Sequence, residues 1–333
     1  MKLRRVPEGL IAEHRSGNWV PLQAEGELSA ERAGEMVAFL AGGDATRAAA
    51  EEQLAGIDDD RAESIAVDPG TAGLPFQPRS MRAFMLWEDH VIASSRMLVK
   101  RFFPPPVPKI VEGFEKVTGK TFPKLKPNAR FYEKPTFYVA NHAALLADDD
   151  PMWWPSHTEW LDFELELAYV LAKPLADATP EEAREAVGGW FVLNDWSARD
   201  VQAADARESI FGPVVKSKTF ANSIGSDVVT VDEVPDWTRM SGRVHVDGEL
   251  WCEGSTAGPA HDVGEQLAFA SAGERLEPGD VISTGTIPGC CGLEIDRWIQ
   301  PGQTVELEID GIGTLTNRID PDAVPANATV AAA

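Results

Sequence analysis

Along residues 160–173, WLDFELELAYVLAK, apolar and acidic side chains take turns. Leu161, Phe163, Leu165, Leu167, Tyr169 and Leu171 hold the odd positions, and Asp162, Glu164, Glu166, Ala168 and Val170 fall between them. A repeat of two is the period of a strand, not of a helix. The pattern predicts a strand with three carboxylates on one face. KPTFYVAN (134–141) predicts another strand, and GWFVLND (189–195) an apolar strand that ends in polar residues. Near the N-terminus, LIAEH and NWVPLQ predict short strands around a turn at RSGN.

Helical periodicity alternates with these segments. SAERAGEMVAFLAGG (29–43) opens on a capping Ser29 and stops at Gly42–Gly43, and DATRAAAEEQLAG opens at Asp44 and stops at Gly56. MRAFMLWEDHVIASSRMLVKRFF (81–103) predicts one long helix halted by PPPVP. ATPEEAREAVGG predicts a short helix with Thr179 as cap, Pro180 in the first turn and Glu182 closing a capping box. WSARDVQAADARES begins a further helix. The 100–130 and 140–160 stretches read as loops, the first of them basic. From 226 to 319, turn signals recur every 8 to 15 residues and predict antiparallel β-structure. The fold class that follows is α+β, mainly β. A small α/β module is expected over 1–75, bounded by the Pro/Gly-rich VDPGTAGLPFQPRS, then a catalytic domain over 76–320 and a disordered Ala/Asp/Pro-rich tail over 321–333.

Composition narrows the function. The chain has 333 residues, of which 44% are hydrophobic, enough for a large core. Its 53 acids against 30 bases give a net charge of -23, a surface that repels phosphate backbones and anionic membranes. Nucleic acid and membrane partners are therefore not expected. The three cysteines, Cys252, Cys290 and Cys291, match neither a disulfide framework nor a zinc site. The N-terminus lacks an apolar stretch of signal-peptide length, and no run approaches a membrane span. A soluble cytoplasmic protein is expected.

Three acids on one strand face have three uses. They can face water, pair with Lys or Arg across a sheet, or hold a hard divalent cation, which takes carboxylate oxygens and keeps open positions for substrate. Two carboxylates two residues apart can aim at one point, and Asp195, at the end of GWFVLND, is placed to add a third. A base would come from six histidines. His14, His245 and His261 read as structural or exposed; His142 and His157 lie in loops near the acidic strand; His90 follows two acids on an amphipathic helix.

LDFELELAYVLAKPL, GWFVLNDWSARDVQ, GPVVKSKTFANSIGSDVV, LEPGDVISTGTIPG and EIDGIGTLTNRI follow one another in this order. The set resembles the fumarylacetoacetate hydrolase family over residues 80 to 320. The resemblance implies a mixed β-roll catalytic fold, usually a homodimer, with Mg2+ (or Mn2+ or Ca2+) held by Glu164, Glu166 and Asp195. Asp162 then becomes a structural hydrogen-bonder. Lys218, rather than Lys216, falls on the family lysine, Gln202 and Thr286 on substrate-binding positions, and Tyr138 on a tyrosine that touches substrate. His90 becomes the general base, oriented by Glu294, with Glu88 or Asp89 as alternatives. Two departures stand out. The extra upstream aspartate of some hydrolases falls on Ala83, and the substrate-binding arginine has no clean match, Lys100 and Arg101 lying near its place. The implied activity is metal-dependent cleavage of a C–C bond in a small anionic 1,3-dicarbonyl or acylpyruvate, of the kind met in aromatic catabolism. The same site also suits a 2-oxo acid isomerase, hydratase or decarboxylase. A non-catalytic metal-binding protein is the reading from another class.

Overall fold

A computed structural model describes residues 1–325; residues 326–333 of the expected tail lie outside them. Glu164–Leu171 is a strand, but its alternation does not divide core from solvent, because all eight residues are buried. Leu165, Leu167, Tyr169 and Leu171 enter one hydrophobic cluster, together with Val244, Leu307 and Leu315. Ala168 and Val170 enter a second, with Leu40, Phe76 and Phe191. The strand thus separates two cores, and each leucine so enclosed contributes roughly 1.5–3 kcal/mol. The water-facing reading of the acids fails: Asp162 is 0%, Glu164 3% and Glu166 2% exposed.

This strand lies within an eleven-stranded sheet of the described residues. Val187–Asn194 pairs with it antiparallel on one side and Val281–Cys291 antiparallel on the other. Beyond Val187–Asn194 the sheet runs through Val228–Thr230 to Lys2–Val6, Gly9–Glu13 and Trp19–Pro21, so the N-terminal strands extend the main sheet. Beyond Val281–Cys291 it runs through Met81–Phe84 to Phe137–Ala140. A second, five-stranded sheet holds Ser241–Val246, Glu249–Ser255, Thr304–Ile309, Gly313–Asp320 and Met152–Trp153. Its hairpins are the antiparallel structure that the turn spacing predicts.

Several elements depart from the sequence pattern. The long helix expected over 81–103 is a buried strand, Met81–Phe84, and then a helix, Glu88–Phe102, which starts where Glu88 and Asp89 complement the helix dipole. The helix expected over 29–43 breaks at Glu35, whose backbone is extended. The basic 100–130 stretch is no loop: it contains the helix Val107–Thr118, stopped by Gly119 in the left-handed conformation. The capping box of Thr179 and Glu182 forms on Pro180–Arg184. No helix of the described residues is long and apolar enough to cross a membrane.

Candidate active site

Glu164 and Glu166 point from the acidic strand to the end of Val187–Asn194, where Asp195 follows. Register fixes this meeting. Leu193 pairs with Glu166, the Asp195 amide donates to the Glu164 carbonyl at 3.2 Å, and the Glu164 amide donates to Asn194 Oδ1 at 2.9 Å. One oxygen from each of the three carboxylates lies within 4.8 Å of the others. All three are buried.

The neighbouring strand supplies support through an irregularity. Between Ser283 and Thr286 the pairing of Val281–Cys291 with the acidic strand slips, a bulge of the kind that re-aims side chains beside sites. Gly285 occupies the slip at φ 95°, where a Cβ would meet the Phe84 carbonyl oxygen at 2.5 Å. The Ser283 hydroxyl consequently donates to Glu166 Oε2, and Thr286 Oγ1 stands 3.4 Å from Glu166 Oε1. Thr286 therefore faces a carboxylate from behind rather than lining the cleft.

Two cations meet these acids. Lys218 Nζ donates to Glu164 Oε2 and, at 3.0 Å, to Asp195 Oδ2. Arg199 Nη2 lies between Asp162 Oδ2 (2.7 Å) and Glu164 Oε1 (2.8 Å), in line with neither, while its Nε donates to Asp162 Oδ2 at 2.8 Å. Burial favours the neutral form of Glu164, but Lys218 and Arg199 outweigh it and hold the carboxyl below its usual range. Glu166 goes the other way: burial, then the charges of Asp195 and Glu164, push it well above. Asp195 is raised by burial against the pull of Lys218. Lys218 stays above its usual value despite burial, because Asp195 and Glu164 hold its proton. Tyr138 is raised well above by burial and by Asp195, so its phenol keeps the proton it donates to Asp195 Oδ2 at 2.5 Å.

This donor set suits a divalent cation. With all four carboxyls ionised, Asp162, Glu164, Glu166 and Asp195 would carry two more charges than Arg199 and Lys218 offset; burial and this crowding raise Glu166, and a divalent cation would relieve the crowding. Asp195 Oδ1 is buried with no hydrogen-bond partner, an arrangement costly for a protein unless something else binds that oxygen. Hard carboxylate oxygens are the ligands that Mg2+, Mn2+ and Ca2+ take.

Beside the acids, His90 is buried on Glu88–Phe102, with Nδ1 3.2 Å from Glu294 Oε1. The contact is close enough for charge pairing, though not aligned as a hydrogen bond. Glu294 sits on the short helix Gly292–Ile295, and its Oε2 accepts from the Gly289 amide at 2.8 Å. Glu88 turns instead toward Lys126 at 3.8 Å. The other histidines lie outside the cleft: His14 contacts Ser16 and the Ile57 carbonyl, His245 stands by Glu306, His261 by the Phe131 carbonyl, and His157 against Phe220.

His90, Tyr138, Glu164, Glu166, Asp195, Gln202 and Lys218 line one cleft of about 400 Å³. Lys216, the rejected alternative to Lys218, is exposed. Lys100 and Arg101 pair with Asp296 and do not line the cleft. Two participants carry no role in the sequence reading. One is Ser283, visible only through the bulge. The other is Arg199, whose place in the NDWSARD stretch was a signal. Gln202 Oε1 accepts from Arg199 Nη1 at 2.9 Å, which links it to the same network.

A family model described as fumarylacetoacetate (FAA) hydrolase, C-terminal, matches residues 116–320. A 4-hydroxyphenylacetate degradation bifunctional isomerase/decarboxylase of Escherichia coli is 29% identical over 236 residues, 65% of this chain and 53% of that protein. The chain thus spans about half the length of that curated relative. Among solved structures, maleylpyruvate hydrolase from a Sphingobium species superposes with TM-score 0.65 at 19% identity, covering 96% of this chain and 99% of that one. Fumarylpyruvate hydrolase from Pseudomonas aeruginosa, in complex with Mn2+ and pyruvate, gives TM-score 0.54 at 22% identity over 73% of this chain and 90% of its own. At these identities the structural likeness carries the fold.

Proposed function

This chain belongs to the fumarylacetoacetate hydrolase family, and from that premise we propose that it is a divalent-metal-dependent hydrolase that cleaves a C–C bond in an acylpyruvate or related 1,3-dicarbonyl acid. The observation that carries this reading is the convergence of Glu164, Glu166 and Asp195, with one Asp195 oxygen unpartnered, beside the His90–Glu294 pair. The three carboxylates would hold Mg2+, Mn2+ or Ca2+. When bound, such an ion supplies Lewis-acid polarisation of a chelating 2-oxo acid and charge to offset a developing enolate. The P. aeruginosa structure with Mn2+ and pyruvate supports an ion and a 2-oxo acid at a fold of this kind.

The residues divide the remaining work. His90 takes a proton from water in the cleft, and the Glu294 carboxylate holds the ring and stabilises its charged form. The water oxygen bonds to the acyl carbonyl carbon. The bond from that carbon to the methylene breaks, and its electron pair stays with the pyruvate half as an enolate. The proton on His90 returns to the methylene carbon, which gives a carboxylic acid and pyruvate. Lys218 offsets negative charge at the cleft floor. Tyr138 and Gln202 contact substrate from the walls, and Thr286 steadies Glu166 from behind. Family membership also supports a homodimer.

The assay supplies acylpyruvates to metal-loaded protein and follows release of acid and pyruvate. The kinship with an isomerase/decarboxylase favours a second reading of the same site. Enol–keto exchange or CO2 release without acid and pyruvate would select it. Metal binding with no turnover of any of these acids would select the non-catalytic reading.

A further inference from the structure

The cleft has two unlike ends. Its floor carries the charged groups described above. Away from the floor, Val91 and Leu98 of the Glu88–Phe102 helix line it, together with Ala206, Pro213 and Val214. Val91, Ser94 and Leu98 recur at helical spacing and share one face. That face begins next to His90 and reaches Leu98 eight residues on, about 12 Å along the axis. The base therefore stands at one end of an apolar wall long enough for a several-carbon arm. Two hydroxyls of the helix also line the cleft: Ser94 spends its own on the Val91 carbonyl at 3.3 Å, and Ser95 stands beside it, neutral and unable to pair with a carboxylate as a cation would.

No cation of the described residues is free along this wall. The two that line the cleft, Arg199 and Lys218, are held at the floor by Asp162, Glu164 and Asp195. Lys216, exposed two residues beyond Val214, does not line the cleft, and four cations on the flanking helices are engaged elsewhere. Arg96 makes two bonds to Glu115, at 2.9 and 3.0 Å. Lys100 and Arg101 engage Asp296, and Arg207 donates to the Phe102 carbonyl at 2.9 Å. A carboxylate pushed against such a wall loses hydration and gains no partner, whereas an alkyl or aryl group gains burial.

Resting on the hydrolase reading above, we propose that the cleft selects 2-oxo acid substrates whose acyl arm is apolar and uncharged over those whose arm ends in a second carboxylate. The products would then be pyruvate and an alkyl or aryl carboxylic acid, so the reaction that supplies the substrate must build or expose a monocarboxylate, not a dicarboxylate.

Calorimetric titration of Mg2+-loaded protein separates the possibilities. Oxalate reports the floor alone. Two inert six-carbon acids, 2-oxohexanoate and 2-oxoadipate, differ at the far carbon, which is a methyl in one and a carboxylate in the other. The expected result is at least ~10-fold tighter binding of 2-oxohexanoate. Leu98→Arg, and independently the half-buried Ser94→Arg, should shrink or invert that ratio. Equal affinities, or tighter binding of 2-oxoadipate by the wild-type protein, overturn the proposed selectivity while oxalate binding keeps the metal-site reading intact. Absence of oxalate binding in the presence of Mg2+ overturns the hydrolase reading itself, and this inference with it.

Discussion

Two buried aspartates flank Glu164, and their oxygens are spent differently. Asp162 is saturated: Oδ1 accepts from the Phe163 and Gly292 amides, and Oδ2 from the Leu293 amide and Arg199 Nε, four bonds of 2.8 to 2.9 Å. Asp195 accepts from Tyr138 and Lys218 on Oδ2 alone, and its Oδ1 is buried without a partner. Asp162 thereby caps the first amides of the helix that carries Glu294, and it anchors the arginine that reaches Glu164. Gly292 permits this approach, since a Cβ there would meet Asp162 Oδ1 at 2.3 Å. Asp162 is a carboxylate that builds the site, and Asp195 one that is left able to serve it. The first has its lone pairs filled by the protein, and the second keeps one open.

The largest effect is expected at Asp162. Asp162→Ala leaves Arg199 buried without its main counter-charge and orphans the Gly292 and Leu293 amides. It should cost about 3–5 kcal/mol in denaturant-unfolding experiments. Asp195→Asn removes a like charge beside Glu164 and Glu166 but also one of the two carboxylates that Lys218 meets, so the two effects offset and the unfolding midpoint should change little. The acylpyruvate cleavage proposed above should meanwhile fall about 10²–10³-fold in steady-state assays. The reverse pattern, a stable Asp162→Ala and an unfolded Asp195→Asn, would exchange the two roles.

A smaller test lies outside the cleft, at Asp148. Burial pushes its pKa up from 3.8 to about 6, against the single Thr316 amide it accepts at 2.7 Å. Its folded-state pKa lies above the unfolded value, so the folded form binds the proton more tightly between about 4 and 6. Stability therefore falls as pH rises through that window. Asp148→Asn should be more stable than the wild type at pH 7.5, by on the order of 1 kcal/mol, and indistinguishable from it near pH 4. Thermal unfolding at the two pH values reads this directly.

The sequence disclosed the candidate site better than its surroundings. Glu164 and Glu166 were legible because a two-residue repeat puts both on one face, and Asp195 because it ends an apolar strand. The burial of that face was not legible, since two separate cores and a second sheet enclose the strand. Met81–Phe84 was absorbed into a helix because its apolar run continues into the next element; its pairing with Val281–Cys291 on one side and Phe137–Ala140 on the other makes it a strand. The inward turn of Thr286 depends on a slip in strand register. The loss of Lys100 and Arg101 from the cleft depends on Asp296, nearly 200 residues away. The family pattern pointed to the proposed chemistry, and long-range pairing decided which side chains line the cleft.

The proposed function requires Glu164, Glu166 and Asp195 to gather one ion, and calorimetric titration of metal-stripped protein with Mn2+ reads whether they do. One Mn2+ per chain is expected for the wild type and for Asp148→Asn, with binding weakened at least ~10-fold in Asp195→Asn and in Glu166→Gln. Unchanged Mn2+ binding in both of those variants, or none in the wild-type protein, would contradict the proposed function.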